Sequence, residues 1–242
     1  MDRLRSYIWT VPLFAISTIG FAVVSLCSSF FDSTGNLQHR IASAWGKTLL
    51  WIAGAPMSVE GLEHLDPHAS YVFTSNHLSY MDTPAVLAQL GAQFRFLAKE
   101  ELFGWPGIGW HLRRAGHIPV PLDDPRARIR TLNQAVEMIH RKKISLLIFP
   151  EGGRSEDGEL QDFKGGAAYF AIKAQVPLVP MALVGTREVL PMHSLIFKAH
   201  PVKLIVGKPI PTAGMTIKQR GELSDQVRDQ ISGMLEAAGE KS

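Results

Sequence analysis

The chain has 242 residues, enough for one domain with a substantial core, or one domain plus an appendage. Hydrophobic residues make up 46% and charged residues 19%, a globular composition that leans towards membrane contact and excludes a disordered chain. The net charge of +3 is too small to argue for nucleic acid, and the single cysteine, Cys27, excludes a disulfide framework and argues against a cysteine-rich zinc site.

The first element is apolar. Tyr7 to Phe31 contains no charged residue, a run of roughly 25 against the ~20 that cross a bilayer as a helix. Arg3 and Arg5 precede it and Asp32 follows; Ser28-Ser29-Phe30-Phe31 is a poor cleavage site for a signal peptide. A second apolar stretch, Ile41 to Ala55, places Ile41, Trp45, Leu49 and Ile52 on one helical face, with Trp51 nearby, as an interfacial helix would. A simple crossing with Arg3 and Arg5 in the cytoplasm would put the rest of the chain outside. The expectation is a helical hairpin lying in or dipping into one leaflet, and a division into membrane-associated helices (1–55) and a catalytic domain (56–242).

Beyond Pro56 short apolar runs alternate with helical patterns. Strands are expected at Met57–Glu60, Tyr71–Ser75, Phe94–Leu97, His117–Val120, Ile144–Phe149, Leu178–Leu183 and Val202–Val206. Helices are expected at Pro84–Leu90, Arg126–His140, Gly166–Ala174 and Lys218–Ala238. The second of these carries a stripe of Ile129, Leu132, Val136 and Ile139, and the last a stripe of Leu223, Val227, Ile231 and Leu235. Trp105-Pro106-Gly107 and Gly109-Trp110 read as an apolar loop touching lipid, an acyl chain or the core. The alternation predicts an α/β fold: a mostly parallel central sheet flanked by helices.

The chemistry concentrates in Asn76-His77-Leu78-Ser79-Tyr80-Met81-Asp82-Thr83-Pro84. A strand ends near Ser75, and Pro84 suits the first position of a helix capped by Asp82 or Thr83. On one continuous helix a separation of five would splay His77 and Asp82 by about 140°. Across a strand-to-helix turn, Asp82 can fold back onto one imidazole nitrogen and leave the other aimed at substrate, the arrangement of a base with its orienting carboxylate. An alcohol deprotonated by His77 can attack a thioester directly, with no protein nucleophile.

Three ordered segments extend this: Asn76-His77-x4-Asp82, Phe149-Pro150-Glu151-Gly152-Gly153-Arg154-Ser155 and Val176-Pro177-Leu178-Val179-Pro180. Together with Val59-Glu60-Gly61-Leu62-Glu63, Lys99-Glu100-Glu101-Leu102-Phe103 and Phe163-Lys164-Gly165-Gly166, they resemble the glycerolipid acyltransferase family, in its 1-acylglycerol-3-phosphate branch, over roughly residues 57–210. The resemblance implies His77 as general base and Asp82 as its partner. It implies an acceptor- and phosphate-binding segment of Glu151, Gly152, Gly153 and Arg154, to which Lys164 adds positive charge. The implied reaction takes an acyl group from acyl-CoA or acyl carrier protein to a lysophospholipid at the bilayer, on the cytoplasmic face of the inner (plasma) membrane. It uses no metal and no cofactor beyond the acyl donor. Leu122 departs from the pattern by standing where the family's second motif has an arginine, for which Arg113, Arg114, Arg126, Arg128 and Arg130 are candidate replacements. Acylation of a different lyso-lipid or lipid-linked hydroxyl is the alternative. A hydrolase using Ser79 or Ser155 lacks the G-x-S-x-G elbow, and a silent lipid-binding scaffold would not need both His77 and Asp82.

Overall fold

The computed structural model describes residues 2–105, 108–121 and 125–240, without the side chains of 125 and 127–129. Helix α1 runs Asp2–Ser28, with one π turn at Ser6–Thr10. Pro12 has no N–H to give the preceding turn, and the wider turn lies just before it. The helix is inside out: Ser6, Thr10, Ser25 and Ser28 are buried, whereas Trp9, Leu13, Ile16, Ile19 and Val23 face outward. Both ends are tied to the rest of the chain. Arg5 Nη2 and Ser6 Oγ donate to the Phe197 carbonyl at 3.1 and 3.3 Å, and Ser25 Oγ lies 2.9 Å from His111 Nδ1.

Helix α2 (Asn36–Ala53) starts earlier than expected. It packs along α1, where Trp45 Nε1 donates to Thr18 Oγ1 at 3.2 Å, and against α3 (Asp82–Gln89). The face expected at a membrane interface is turned inward: Leu49 is buried, Ile41, Trp45 and Ile52 are half-buried, and Trp51 projects outward. The α2–α3 approach is close enough that a Cβ on Gly46 would collide with the Pro84 carbonyl oxygen.

The sheet has seven strands: β1 (Met57–Glu60), β2 (Val72–Ser75), β3 (Phe94–Lys99), β4 (Ile118–Val120), β5 (Ser145–Ile148), β6 (Leu178–Val184) and β7 (Val202–Val206). Their spatial order is β1-β7-β6-β2-β5-β3-β4, and every pairing is parallel except β6 with β7. All seven expected strands are present, with ends that shift by no more than two residues. The central β2 and β5 are buried on both faces, whereas edge strand β1 alternates. Helices α4 (Ile108–Arg114), α5 (Pro125–Lys142), α6 (Gly166–Ala174), α7 (Thr186–Val189) and α8 (Arg220–Ala237) complete the chain. Of these, α4 and α7 were not expected. Single 3-10 turns cover Leu62–His64, Glu100–Gly104 and Ile217–Gln219.

Two cores sandwich the sheet. On one face Phe73, Phe94 and Leu183 meet Leu50 and Ala53 of α2 and Val86 of α3. On the other, Leu146 and Leu178 meet Phe170 of α6 and Leu223, Val227, Ile231 and Leu235 of α8, the stripe read from the sequence. The α5 stripe is rotated: Ala135 and Ile139 are its buried centre, Leu132 and Val136 lie at its margin, and the Ile129 side chain is outside the described residues.

Gly46→Val is expected to destabilise the fold by about 1–3 kcal/mol, because the α2–α3 backbones must part. Gly20→Ala, with nothing within 4 Å of its Cβ, should be neutral or slightly stabilising. Chemical denaturation of both variants checks the pair, and equal losses would contradict the close packing.

Candidate active site

Parallel pairing of β2 with β5 sets Thr74 beside Ile148, so the loops leaving both strands start at the same carboxyl edge of the sheet. The first carries His77 and the second carries Glu151 to Ser155.

Asp82 is fully buried, and its Oδ2 collects three donors: His77 Nδ1 at 2.7 Å, the Leu78 N–H at 2.7 Å and the Ser79 N–H at 2.8 Å. The carboxylate thus fixes the imidazole through Nδ1 and winds the intervening turn. This corrects the capping expectation. Helix α3 starts at Asp82 itself with Met81 at its cap position, Pro84 is the third residue, and the carboxylate faces back to the turn. The His77 ring is stacked on Phe149, with centroids 3.9 Å apart and planes inclined by 11°. Its Nε2 has no hydrogen bond to a described residue, and the residue is 9% exposed, an imidazole fixed through one nitrogen with the other uncommitted.

Glu151 departs from the expected phosphate-binding position. It is buried, and its two oxygens accept the backbone N–H groups of His77 (2.6 Å) and Gln161 (3.2 Å). The Ser155 N–H donates to the His77 carbonyl at 2.9 Å, so the β5 loop holds both backbone polar groups of the base. Burial pushes the Glu151 carboxyl up to about 7, and the negative charge of Asp82 acts in the same direction against the two amides.

Arg154 is where the sequence placed it, beside the dyad. Its Nε donates to the Ser79 carbonyl at 3.3 Å, and its guanidinium lies over the Tyr80 ring at 4.2 Å. Burial lowers its pKa, while Asp82 and Tyr80 raise it. The η nitrogens make no hydrogen bond among the described residues. Lys164 also converges here. Gly152 adopts φ +75°, and a Cβ there would sit 2.7 Å from Lys164 Nζ, so the amine lies over the glycine. Gly153 is exposed, with open space around its Cβ position. Arg154, Lys164 and the two glycines therefore share one edge, with Glu151 beneath it.

Two partners stood inside the quoted motifs without an assigned role: Phe149, under the imidazole, and Tyr80, under the Arg154 guanidinium. The serines proposed for a hydrolase are otherwise occupied. Ser79 Oγ donates to the Leu190 carbonyl at 2.8 Å and Ser155 Oγ to Asp157 at 2.6 Å. Leu122 and the Arg128 side chain lie outside the described residues; Arg113 and Arg114 are on α4, and Arg126 and Arg130 on α5.

An apolar cavity of about 280 Å³ lies between the N-terminal helices and the sheet, lined by Phe21 and Ala22 of α1, Trp45 of α2, Thr83 and Leu87 of α3, and Phe96. Phe96 stacks on Phe149, linking cavity to base. At the cavity margin Arg95 is buried, donating to the Phe94 and Thr34 carbonyls and to Asn36 Oδ1. Burial, then the charge of Arg95, pushes His39 down to about 4, and burial first also lowers His111 and His117.

The fold and site together define an α/β protein with a histidine–aspartate dyad on the carboxyl edge of a mostly parallel sheet, flanked by a glycine loop with converging cations. A family model described as Acyltransferase matches residues 56–184, and the chain belongs to that family. The crystal structure of the 1-acyl-sn-glycerophosphate acyltransferase PlsC from Thermotoga maritima is similar, with a TM-score of 0.81 and 26% identity over 99% of this chain and 98% of that one. A 1-acyl-sn-glycerol-3-phosphate acyltransferase of Limnanthes douglasii is 35% identical over 81% of this chain and 68% of its own. A chloroplast protein of that name from Brassica napus is 34% identical over 81% of this chain, which spans about half (55%) of its length.

Asp82→Asn, which keeps an acceptor for the loop amides but not the charge, is expected to lower turnover about 10²–10⁴-fold with a much smaller change in acceptor KM. Steady-state kinetics that show the loss mainly in KM would contradict the orienting role. For Glu151 the folded chain holds its proton more tightly than the unfolded chain. The stability this contributes is complete below pH 4.5 and is lost as pH rises through about 7. Denaturation between pH 4.5 and 8 should show wild-type stability falling relative to Glu151→Gln across that window, and a rise would refute burial as the cause.

Proposed function

We propose that the protein transfers a fatty acyl group from acyl-CoA or acyl carrier protein to the free hydroxyl of 1-acylglycerol-3-phosphate, forming phosphatidic acid. The observation that carries this reading is the His77–Asp82 contact of 2.7 Å, with the far ring nitrogen uncommitted and Arg154 and Lys164 alongside. In the reaction, His77 Nε2 takes the proton of the acceptor hydroxyl as its oxygen attacks the thioester carbonyl. Asp82 stabilises the imidazolium that forms. Collapse of the tetrahedral intermediate breaks the carbon–sulfur bond, and the thiolate leaves with the proton from His77, giving an ester and a free thiol. Arg154 presents planar donors to the acceptor phosphate and Lys164 a point charge. Glu151 acts beneath them as a brace for the base. The apolar cavity suits an acyl chain, because its wall is continuous with the aromatic stack under His77.

The same reading places the protein at a membrane, on the cytoplasmic face where thioester donors are available. Helix α1 would extend about 40 Å, more than the ~30 Å hydrocarbon core. A crossing would separate its ends across the bilayer, yet Ser6 and Ser25 both bond to the body that carries the dyad. This favours a helix lying in one leaflet. Small hydroxyl residues inward and large apolar ones outward is the arrangement of a helix packed in lipid.

A second reading, acylation of another lyso-lipid or lipid-linked hydroxyl, is favoured by Leu122 in place of the family's arginine. The test is product analysis with labelled acyl-CoA and a panel of lyso-lipids. Wild type is expected to prefer the phosphomonoester acceptor, His77→Ala to lose at least about 10²-fold in turnover, and Arg154→Ala to raise acceptor KM. Equal use of acceptors without a phosphomonoester would overturn the phosphatidate assignment in favour of the second reading.

A further inference from the structure

We propose that helix α4, together with Trp105, forms a second membrane contact, separate from α1, that takes anionic lipid headgroups. The segment exposes Trp105, Ile108 and Trp110, the last 68% accessible. Lone exposed apolar residues need no explanation, but these adjoin a second group. Phe30 and Phe31, 79% and 88% exposed at the end of α1, lie on the same side, because α4 packs against α1 and the Arg114 guanidinium sits 5.8 Å from the Phe30 ring. The Ser25–His111 hydrogen bond fixes that junction.

Position on the helix supplies the second half of the case. Trp110, Arg113 and Arg114 are spaced at three and four residues and are all exposed, so one face of α4 carries an indole with two guanidinium groups a turn behind it. Neither arginine has an ion-pair partner among the described residues. Tryptophan sits by preference at the boundary between headgroups and hydrocarbon, and arginine reaches from there to phosphate. An apolar patch with a basic rim, adjoining the end of the apolar helix α1, fits an anionic bilayer surface, which offers hydrocarbon and phosphate at one boundary. Ile108 belongs both to this surface and to the wall of the apolar cavity, so docking α4 brings the cavity wall to the lipid surface. The proposal rests on the membrane placement of α1 and adds to it a surface that α1 does not contain.

The experiment uses the full chain with Cys27→Ser, which frees a single introduced cysteine for an environment-sensitive fluorophore. Labels at Trp110→Cys, Ile16→Cys on α1 and Lys173→Cys on α6 are compared on vesicles of phosphatidylcholine with and without phosphatidylglycerol, with nitroxide lipids as quenchers. The expected result is a blue shift and quenching at 110 as well as at 16, with 173 unchanged. Quenching at 16 with 110 still aqueous would overturn the α4 contact while leaving α1 anchoring and the acyl-transfer reading intact. In parallel, Arg113→Gln with Arg114→Gln should weaken binding to phosphatidylglycerol-containing vesicles by about fivefold per arginine and leave neutral vesicles unaffected. Equal loss on both vesicle types, or none, would refute headgroup recognition. Acyl transfer to a detergent-dispersed acceptor, measured for the three single-cysteine proteins labelled at 16, 110 and 173, should stay at the wild-type level and reports separately on the catalytic reading.

Discussion

One oxygen of Asp82 organises the site. Burying a carboxylate costs several kcal/mol unless donors surround it, and Oδ2 meets three of them, two from consecutive backbone amides and one from the imidazole. Such charge-assisted bonds contribute about 1.5–3 kcal/mol each, enough to decide the course of a short turn. The geometry explains the spacing of four residues between histidine and aspartate. An oxygen five positions along the chain can reach the amides of the first and second residues after the histidine only if the turn closes on it. That closure brings Nδ1 within 2.7 Å and turns the other ring nitrogen away. Orientation of the base and folding of the turn are one event.

The loop after β5 completes what Asp82 begins. Glu151 accepts the His77 N–H and Ser155 donates to the His77 carbonyl, so the peptide groups of the catalytic residue are paired across the sheet edge rather than within their own loop. Phe149, from the same loop, lies flat beneath the ring. The segment Phe149 to Ser155 therefore divides its labour. Half-buried Phe149 and buried Glu151 and Ser155 hold His77, and Gly152, Gly153 and Arg154 remain free of that task, as the proposed acceptor would require. Gly152 serves both purposes, since its positive φ turns the chain and the missing side chain leaves room for Lys164.

The sequence made the scaffold legible because its strands are short apolar runs with turn residues between them, and parallel strands buried on both faces look like that whatever their order. The stripe of α8 was legible for the same reason: four residues at helical spacing have one place to go. Strand order, the antiparallel β7 and helix α4 were not. Each depends on contacts between distant segments, and Trp105 to Trp110 carries the composition of a loop. Motif residues were found, but their division was not. Glu151 and Arg154 are three apart and both charged, and only the neighbouring strand decides that one meets backbone amides while the other meets Tyr80. Asp82 preceding Pro84 gives the usual signal of a helix cap, yet the backward pull of three donors outweighs it. Arg95, in the middle of a strand, gave no signal at all, because its partners Thr34 and Asn36 come from the turn between α1 and α2.

That turn shows why the apolar N-terminus cannot be treated as a detachable anchor. Arg95 fastens the start of α2 to β3, α2 fills one core with Leu50 and Ala53, and α1 is bonded at both ends to elements of the same body. The apolar cavity takes walls from α1, α2 and β3 together, so the helix most exposed on its outer side also encloses a space that reaches Phe96, the ring stacked behind Phe149. For the proposed reaction between two lipids this would solve a solvent problem. An imidazole stacked on Phe149 and backed by Phe96 would act in a low-dielectric surround where its carboxylate partner counts for more. Hydroxyl groups turned inward and large apolar side chains turned outward suit α1 to a lipid surface, and on that reading the same surface is where the proposed acceptor, with its acyl tail, would reside.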